Sequence, residues 1–282
     1  MTYERITVTP YGGALGAEIS GVDLNDPLDD QTYNEIKQAL LDNCVIFFRD
    51  QDITPDKQTD FGRRFGELDI HPFIPCLPGH KEIIQLQADS GKEERLRLSN
   101  EWHVDLSYTD NPPLAAILRG VDIPTRGGDT MWVNLYEAYE TLSEPIKRMI
   151  SELNVVHDLC KTYRRADLLE EAGRKMYEHS TLKAPPIAHP IVQTHPETGK
   201  KLLYVSELTT THIEGLHPNE SDAILNMLYE HINWKELHCR FYWEPNSIAM
   251  WDNRCTAHYA VRNYTEAREM HRVTVLGKTF NA

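Results

Sequence analysis

Trp102-His103-Val104-Asp105-Leu106-Ser107-Tyr108, set beside the distant Trp251-Asp252-Asn253-Arg254-Cys255-Thr256-Ala257-His258, decides how this chain is read. Side chains alternate faces along an extended strand, so His103 and Asp105 are expected on one side. One imidazole and one carboxylate then converge, with aromatic and apolar neighbours to exclude water. His258 would add a second imidazole. Two histidines and one carboxylate around a metal, with open coordination positions, suit non-haem Fe(II). A lone His-x-Asp pair carries little weight, because most are surface pairs or locally hydrogen-bonded turns.

The tail behind His258 strengthens the reading. Ala267-Arg268-Glu269-Met270-His271-Arg272-Val273-Thr274-Val275-Leu276 ends like a buried strand. If the strand begins early, Arg268 and Arg272 share an inward face with Met270. An inward guanidinium is costly unless it meets an anion, and its planar fork suits a carboxylate or sulfonate. Two such arginines suggest two separate anionic ligands. From the residues alone, a zinc hydrolase and an inactive binding module stay open, since zinc accepts the same ligands. Other chemistries lack their motifs: there is no Gly-x-Ser-x-Gly, and Gly127-Gly128 precedes a strand, not a helix. His212-Ile213-Glu214, with His217 nearby, is a second His-x-acid pair but sits in a loop or edge segment. His157, His189 and His195 have no acidic partner at ligand spacing, and core or surface roles suit them.

The chain resembles the taurine dioxygenase family of Fe(II)- and 2-oxoglutarate-dependent oxygenases from Ile6 to about Lys278. Leu15-Gly16-Ala17-Glu18-Ile19-Ser20-Gly21-Val22-Asp23-Leu24, Phe65-Gly66-Glu67-Leu68, Ile70-His71-Pro72, the WHVD segment, Gly127-Gly128-Asp129-Thr130 and the segments 251–260 and 270–277 carry the resemblance. It implies His103, Asp105 and His258 as iron ligands and catalytic centre. It implies Thr130 and Arg268 at the far carboxylate of 2-oxoglutarate, and His71 and Arg272 at the substrate's anionic head. The implied activity is that of a dioxygenase consuming 2-oxoglutarate and O2. It hydroxylates the carbon beside the anionic head of taurine or a related sulfonate, releasing an aldehyde, sulfite, succinate and CO2. Alkyl sulfates and aryloxyalkanoates are alternatives. Taurine enzymes hold the substrate's amino end with a tyrosine and an asparagine where this chain has Ile74 and Ser99. Thr209 likewise stands where an aromatic residue is expected. The anion end is retained and the amine end is altered.

Composition bounds the rest. The 282 residues carry 29 basic and 43 acidic side chains, a net charge of −14. Such a surface repels phosphate backbones and anionic lipid, so neither nucleic acid nor membrane is an expected partner. A small anionic organic substrate remains compatible, because two local arginines outweigh a distant field that salt screens. Five scattered cysteines without Cys-x-x-Cys read as reduced thiols of a cytoplasmic protein, Cys255 among them as a core residue. No apolar leader or membrane-length run is visible. A homo-oligomer is expected.

Helical spacing predicts helices over 31–42, from Thr54-Pro55 onward, over about 134–140, 143–152 and 164–178, and over 218–231. The 164–178 segment would pack through Leu168, Leu169, Ala172 and Met176. Strands are expected over 5–9, 44–48, 82–86, 114–119, 129–133, 238–243, 247–251 and 271–277, with a hairpin from 188–193 and 201–205. The polar stretch Ala88–Asn100, just before the WHVD segment, is a candidate lid. Strands at both ends with helices between them fit one domain over 1–282: mainly β with helical insertions, a double-stranded β-helix (jelly roll). The resemblance implies the same fold.

Overall fold

Val45-Ile46-Phe47-Phe48 is apolar at every position, a pattern that only a strand covered on both faces can use. In the computed structural model all four side chains are buried, and this strand lies within a large sheet. The structure describes residues 3–71, 74–88, 101–163 and 171–277, without the side chains of 172, 173, 176 and 179. Ser99, the candidate lid beyond Ala88 and the packing face of the 164–178 helix therefore lie outside the described residues.

In chain order the elements begin with β1 (Thr7–Pro10), β2 (Ala17–Ser20), α1 (Asp30–Asn43), β3 (Val45–Phe48), α2 (Pro55–Arg63), β4 (Cys76–Leu77), β5 (His80–Ala88), β6 (Ala115–Asp122) and β7 (Thr130–Asn134). Then come α3 (Leu135–Glu140), α4 (Glu144–Ile150), β8 (Asn154–His157), a 3-10 turn (Leu159–Thr162), α5 (Glu171–Lys183), β9 (Ile187–Pro190), β10 (Val192–Thr194) and β11 (Lys201–Leu203). The chain closes with β12 (Thr210–Ile213), α6 (Pro218–Ile232), β13 (His238–Phe241), β14 (Ile248–Asp252), β15 (Thr256–Ala260) and β16 (Arg268–Val275).

The large sheet runs β1-β2-β3-β14-β6-β16-β5-β4 and faces a small sheet, β13-β7-β15. This is a jelly roll. An accessory sheet, β12-β8-β9, and the β10-β11 hairpin come from the inserted segment. Alternate residues along each strand of the large sheet feed different cores. Phe47, Leu118, Trp251 and Met270 point between the sheets to meet Trp132 and Phe241, with Phe47 stacked on Phe241 at 4.1 Å. Ile46, Phe48, Ile117, Met250 and Val273 face the other way, onto Ile36 and Leu40 of α1 and Phe61 of α2. Each such side chain contributes about 1.5–3 kcal/mol of burial.

The helix starts follow capping chemistry. Asp29 accepts from the Thr32 N–H at 2.7 Å, and Thr54 accepts from Lys57 with Pro55 in the first turn. Cys44 ends α1 at φ 65°, its N–H bonded to the Leu40 carbonyl, and so turns the chain directly into β3. All five cysteines are free, with Cys255 in the core. Strand β16 begins at Arg268, the early start that places Arg268, Met270 and Arg272 on one face. Among the described residues no helix is long and apolar enough to cross a membrane.

Candidate metal centre and anion pocket

His103 and His258 meet through reciprocal backbone hydrogen bonds of 3.0 and 2.8 Å, an isolated antiparallel bridge beside β15. The expected WHVD strand does not form. After Val104 the chain turns through 105–108, with Leu106 at φ 51° and its carbonyl accepting from the Thr109 N–H and hydroxyl. Asp105 is placed by a buried side chain instead of by alternation. Asn253 accepts from the Asp105 N–H and donates to the Asp105 carbonyl, both at 2.9 Å, and donates to the Pro113 carbonyl at 3.3 Å. A side-chain amide so used substitutes for a neighbouring strand and leaves no backbone group of Asp105 unpaired.

The three ligand atoms of His103, Asp105 and His258 lie within 4.8 Å of one another. His103 Nδ1 lies 2.9 Å from the Glu101 carbonyl; as the donor there, it leaves Nε2 free. Asp105 Oδ1 accepts from Arg272 at 2.9 Å, whereas the buried Oδ2 has no partner among the described residues. That oxygen lies 4.0 Å from His258 Nε2. Burial lowers the pKa of both imidazoles. Burial alone would raise Asp105, but Arg272 and the two histidines bring it to about 2. Neutral imidazoles and an ionised, under-bonded carboxylate fit a divalent cation. Among the described residues this is the one group with that geometry. His212 instead pairs with Thr211, His217 caps α6 and His195 bonds Asp252.

A cavity of about 360 Å³ opens on the triad. Arg268 and Arg272 both line it, as do His71, Ile74, Thr130 and Thr209. Arg268 donates to the Gly128 carbonyl at 3.0 Å, and its buried Nε has no partner among the described residues. Burial lowers its pKa, so an anion within reach would be strongly favoured. Gly128 shapes this corner: its φ is +75°, and a Cβ would stand 3.3 Å from Arg268 Nε. Thr130 Oγ1 accepts from Trp243 at 3.0 Å, which leaves its hydroxyl proton to give. His71 Nδ1 accepts from the Ile74 N–H at 3.0 Å; burial, then Arg272, lowers its pKa to about 4. Thr209 commits its hydroxyl to Ser107 at 2.7 Å and His157 at 3.2 Å.

The structure brings together every sequence-predicted site residue that it describes. Sequence reading misses Asn253 in its clamping role, the Arg272–Asp105 contact, and the wall formed by Leu159, Thr162 and Leu208. A signal for Asn253 existed, since an amide between ligand-bearing segments has to be satisfied if it is buried. Asn253→Ala is expected to weaken divalent-metal binding about ten- to a hundredfold, the usual cost of losing a group that orients a ligand. Calorimetric titration with Mn(II) measures this, and an unchanged affinity would remove Asn253 from the support of Asp105.

Comparison with known proteins follows the same lines. The family described as "Taurine catabolism dioxygenase TauD, TfdA family" matches residues 7–274. An alpha-ketoglutarate-dependent sulfate ester dioxygenase of Pseudomonas putida is 35% identical over 97% of this chain and 90% of its own length. An alkylsulfatase of Acinetobacter baylyi is 35% identical over 98% and 86%. The crystal structure of a taurine dioxygenase from Burkholderia xenovorans superposes with a TM-score of 0.82 at 37% identity, covering 98% of this chain and 92% of that one.

Proposed function

The chain belongs to the TauD, TfdA family and is an alpha-ketoglutarate-dependent dioxygenase, an oxidoreductase; from that premise we propose that it oxidises an apolar-tailed organosulfate or sulfonate. The family implies a divalent metal, 2-oxoglutarate, O2 and a small organic substrate, and the zinc-hydrolase and binding-module readings give way to it. The observation that carries the substrate assignment is the lining of the cavity. Arg268 and Arg272 line it with the metal triad, while Ile74, Leu159 and Leu208 add apolar surface that offers an ammonium group no acceptor. Relatives named for sulfate esters and alkyl sulfates support the same class.

In this reading His103, Asp105 and His258 hold Fe(II). Held by these three side chains, Fe(II) would supply, with 2-oxoglutarate and O2 as cosubstrates, the oxidation whose products are succinate, CO2 and a substrate hydroxylated beside its anionic head. That product falls apart into an aldehyde and sulfate or sulfite. Arg268 and the Thr130 hydroxyl hold the far carboxylate of 2-oxoglutarate. Arg272 and His71 take the substrate's anion, and His71 is neutral there at physiological pH. Because Arg272 also donates to Asp105, the anion is oriented from a group already locked to a metal ligand. Trp251, Leu86 and Leu118 keep water from the reacting carbon.

A panel of medium-chain alkyl sulfates, alkanesulfonates, aryloxyalkanoates and taurine, followed by succinate formation, tests the assignment. Apolar-tailed sulfur anions are expected to lead, and a strong native preference for taurine or an aryloxyalkanoate would overturn it. In the same assay, Ile74→Tyr combined with Ser99→Asn is expected to shift the ratio toward taurine. The expected shift is about tenfold or more, because an unpaired buried ammonium is rejected more sharply than a mismatched methylene.

A further inference from the structure

Part of the cavity wall comes from outside the jelly roll. Leu159 and Thr162 come from the 3-10 turn after β8, while Leu208 and Thr209 come from the segment entering β12, both in the accessory sheet. Lys161 lies between the first pair in sequence, and its ammonium reaches across to the second segment. It donates to the carbonyls of Glu207 at 2.5 Å and Thr210 at 2.6 Å, which bracket Leu208 and Thr209. The Tyr229 ring lies 5.9 Å away, and its hydroxyl donates to the same Thr210 carbonyl. The bracketed segment also grips the metal side. The Glu207 carboxylate accepts from the Trp102 N–H at 3.2 Å and from Asn233 at 3.0 Å, and Asn233 accepts from the Trp102 indole at 2.6 Å. Trp102 adjoins His103.

We propose that Lys161 is a positioning residue that staples this accessory wall together and sets its distance from the metal, fixing the substrate's tail over the reacting centre. Two charge-assisted hydrogen bonds to carbonyls reinforce the Asp158 N–H bond to the Thr209 carbonyl, which joins the two loops at the end of the β8–β12 pairing. Among the described residues Lys161 bonds neither to the triad nor to the arginines, so its loss is expected to fall first on the substrate's tail. A loosened wall lets the substrate carbon drift from its productive position, and small misplacements of that kind cost rate steeply. The proposal rests on the functional reading above for the identity of the tail.

The test compares wild type, Lys161→Met and Lys161→Arg. With the best alkyl sulfate, Lys161→Met is expected to raise KM about tenfold and to make more succinate than aldehyde, while Lys161→Arg restores much of both. The half-saturating 2-oxoglutarate concentration and the visible band of the anaerobic Fe(II) complex are expected to stay as in wild type. A second measurement needs no substrate. Hydrogen exchange in the Mn(II) and 2-oxoglutarate complex is expected to quicken over 159–163 and 206–211 in Lys161→Met, and to stay unchanged over 256–260. Unaltered exchange in both wall segments, or an unaltered KM and succinate-to-aldehyde ratio, would overturn the staple. Parallel loss of the Fe(II) band would also overturn it, as a sign of general structural support. Wild type that ignores every sulfur anion would instead strike the substrate assignment and leave the exchange result to decide on Lys161.

Discussion

Replacing His103 with alanine is expected to abolish 2-oxoglutarate turnover and metal retention together. The triad supplies only three ligand atoms, so losing one leaves an Asp105 oxygen and a single imidazole to hold the ion. Removing a group that merely orients a ligand costs ten- to a hundredfold in affinity, so losing the ligand is expected to exceed about a hundredfold. The fold should survive. The backbone bridge to His258 uses the His103 N–H and carbonyl, which alanine retains. Circular dichroism and thermal melting of the metal-free protein should therefore match wild type, while Mn(II) titration and succinate formation fall to background. A variant with near-native turnover would exclude His103 from the centre.

Arg268→Ala carries the second large effect, and it should be confined to the cosubstrate. The Arg268 Nε is buried without a partner among the described residues, and it is Arg272, not Arg268, that donates to Asp105. A charge-assisted contact to a carboxylate is worth roughly 1.5–3 kcal/mol, so half-saturating 2-oxoglutarate should rise about ten- to a hundredfold. Without cosubstrate the effect on stability reverses. An under-compensated buried cation costs free energy, so its removal should leave the melting temperature of the cosubstrate-free protein equal or higher. Added 2-oxoglutarate should then stabilise wild type far more than the variant. Equal thermal shifts on titration would place the far carboxylate elsewhere. Arg272→Ala would be harder to read, since that side chain also holds Asp105.

Where local chemistry decides structure, the sequence was readable. Thr54-Pro55 announces a helix start, and the apolar run ending in Val45–Phe48 announces a buried strand. The 3.6-residue spacing of Ile224, Leu225, Leu228 and Ile232 finds α6. The two-residue β4 and the Asn-Val-Val-His run of β8 offer little alternation of apolar and polar side chains to read. For the site, residue types and the resemblance name the ligands, but the geometry first assigned to them fails. His103 and Asp105 converge because Asn253 pins a turn, not because a strand alternates. That contact joins residues remote in sequence, as does Arg272 to Asp105, and no local pattern encodes either. The substrate wall was missed for the same reason. Leu159 and Thr162 sit in an irregular turn whose position depends on docking against β12.

Strand β16 lies between β5 and β6, third from one end of the large sheet, although it follows every other described strand in sequence. A polypeptide made from its N-terminus holds that slot open until the rest has been synthesised. Until then β5 and β6 offer unpaired edges to each other and to neighbouring chains, a period of exposure to aggregation. The same late insertion delivers Arg268 and Arg272, just after β15 has brought in His258. Until then the nascent chain has two of the three triad ligands, His103 and Asp105, and neither of the arginines Arg268 and Arg272 that line the cavity. Tight iron capture would then mark completed assembly, and a refolding experiment that follows metal uptake beside sheet formation should find uptake among the slowest events.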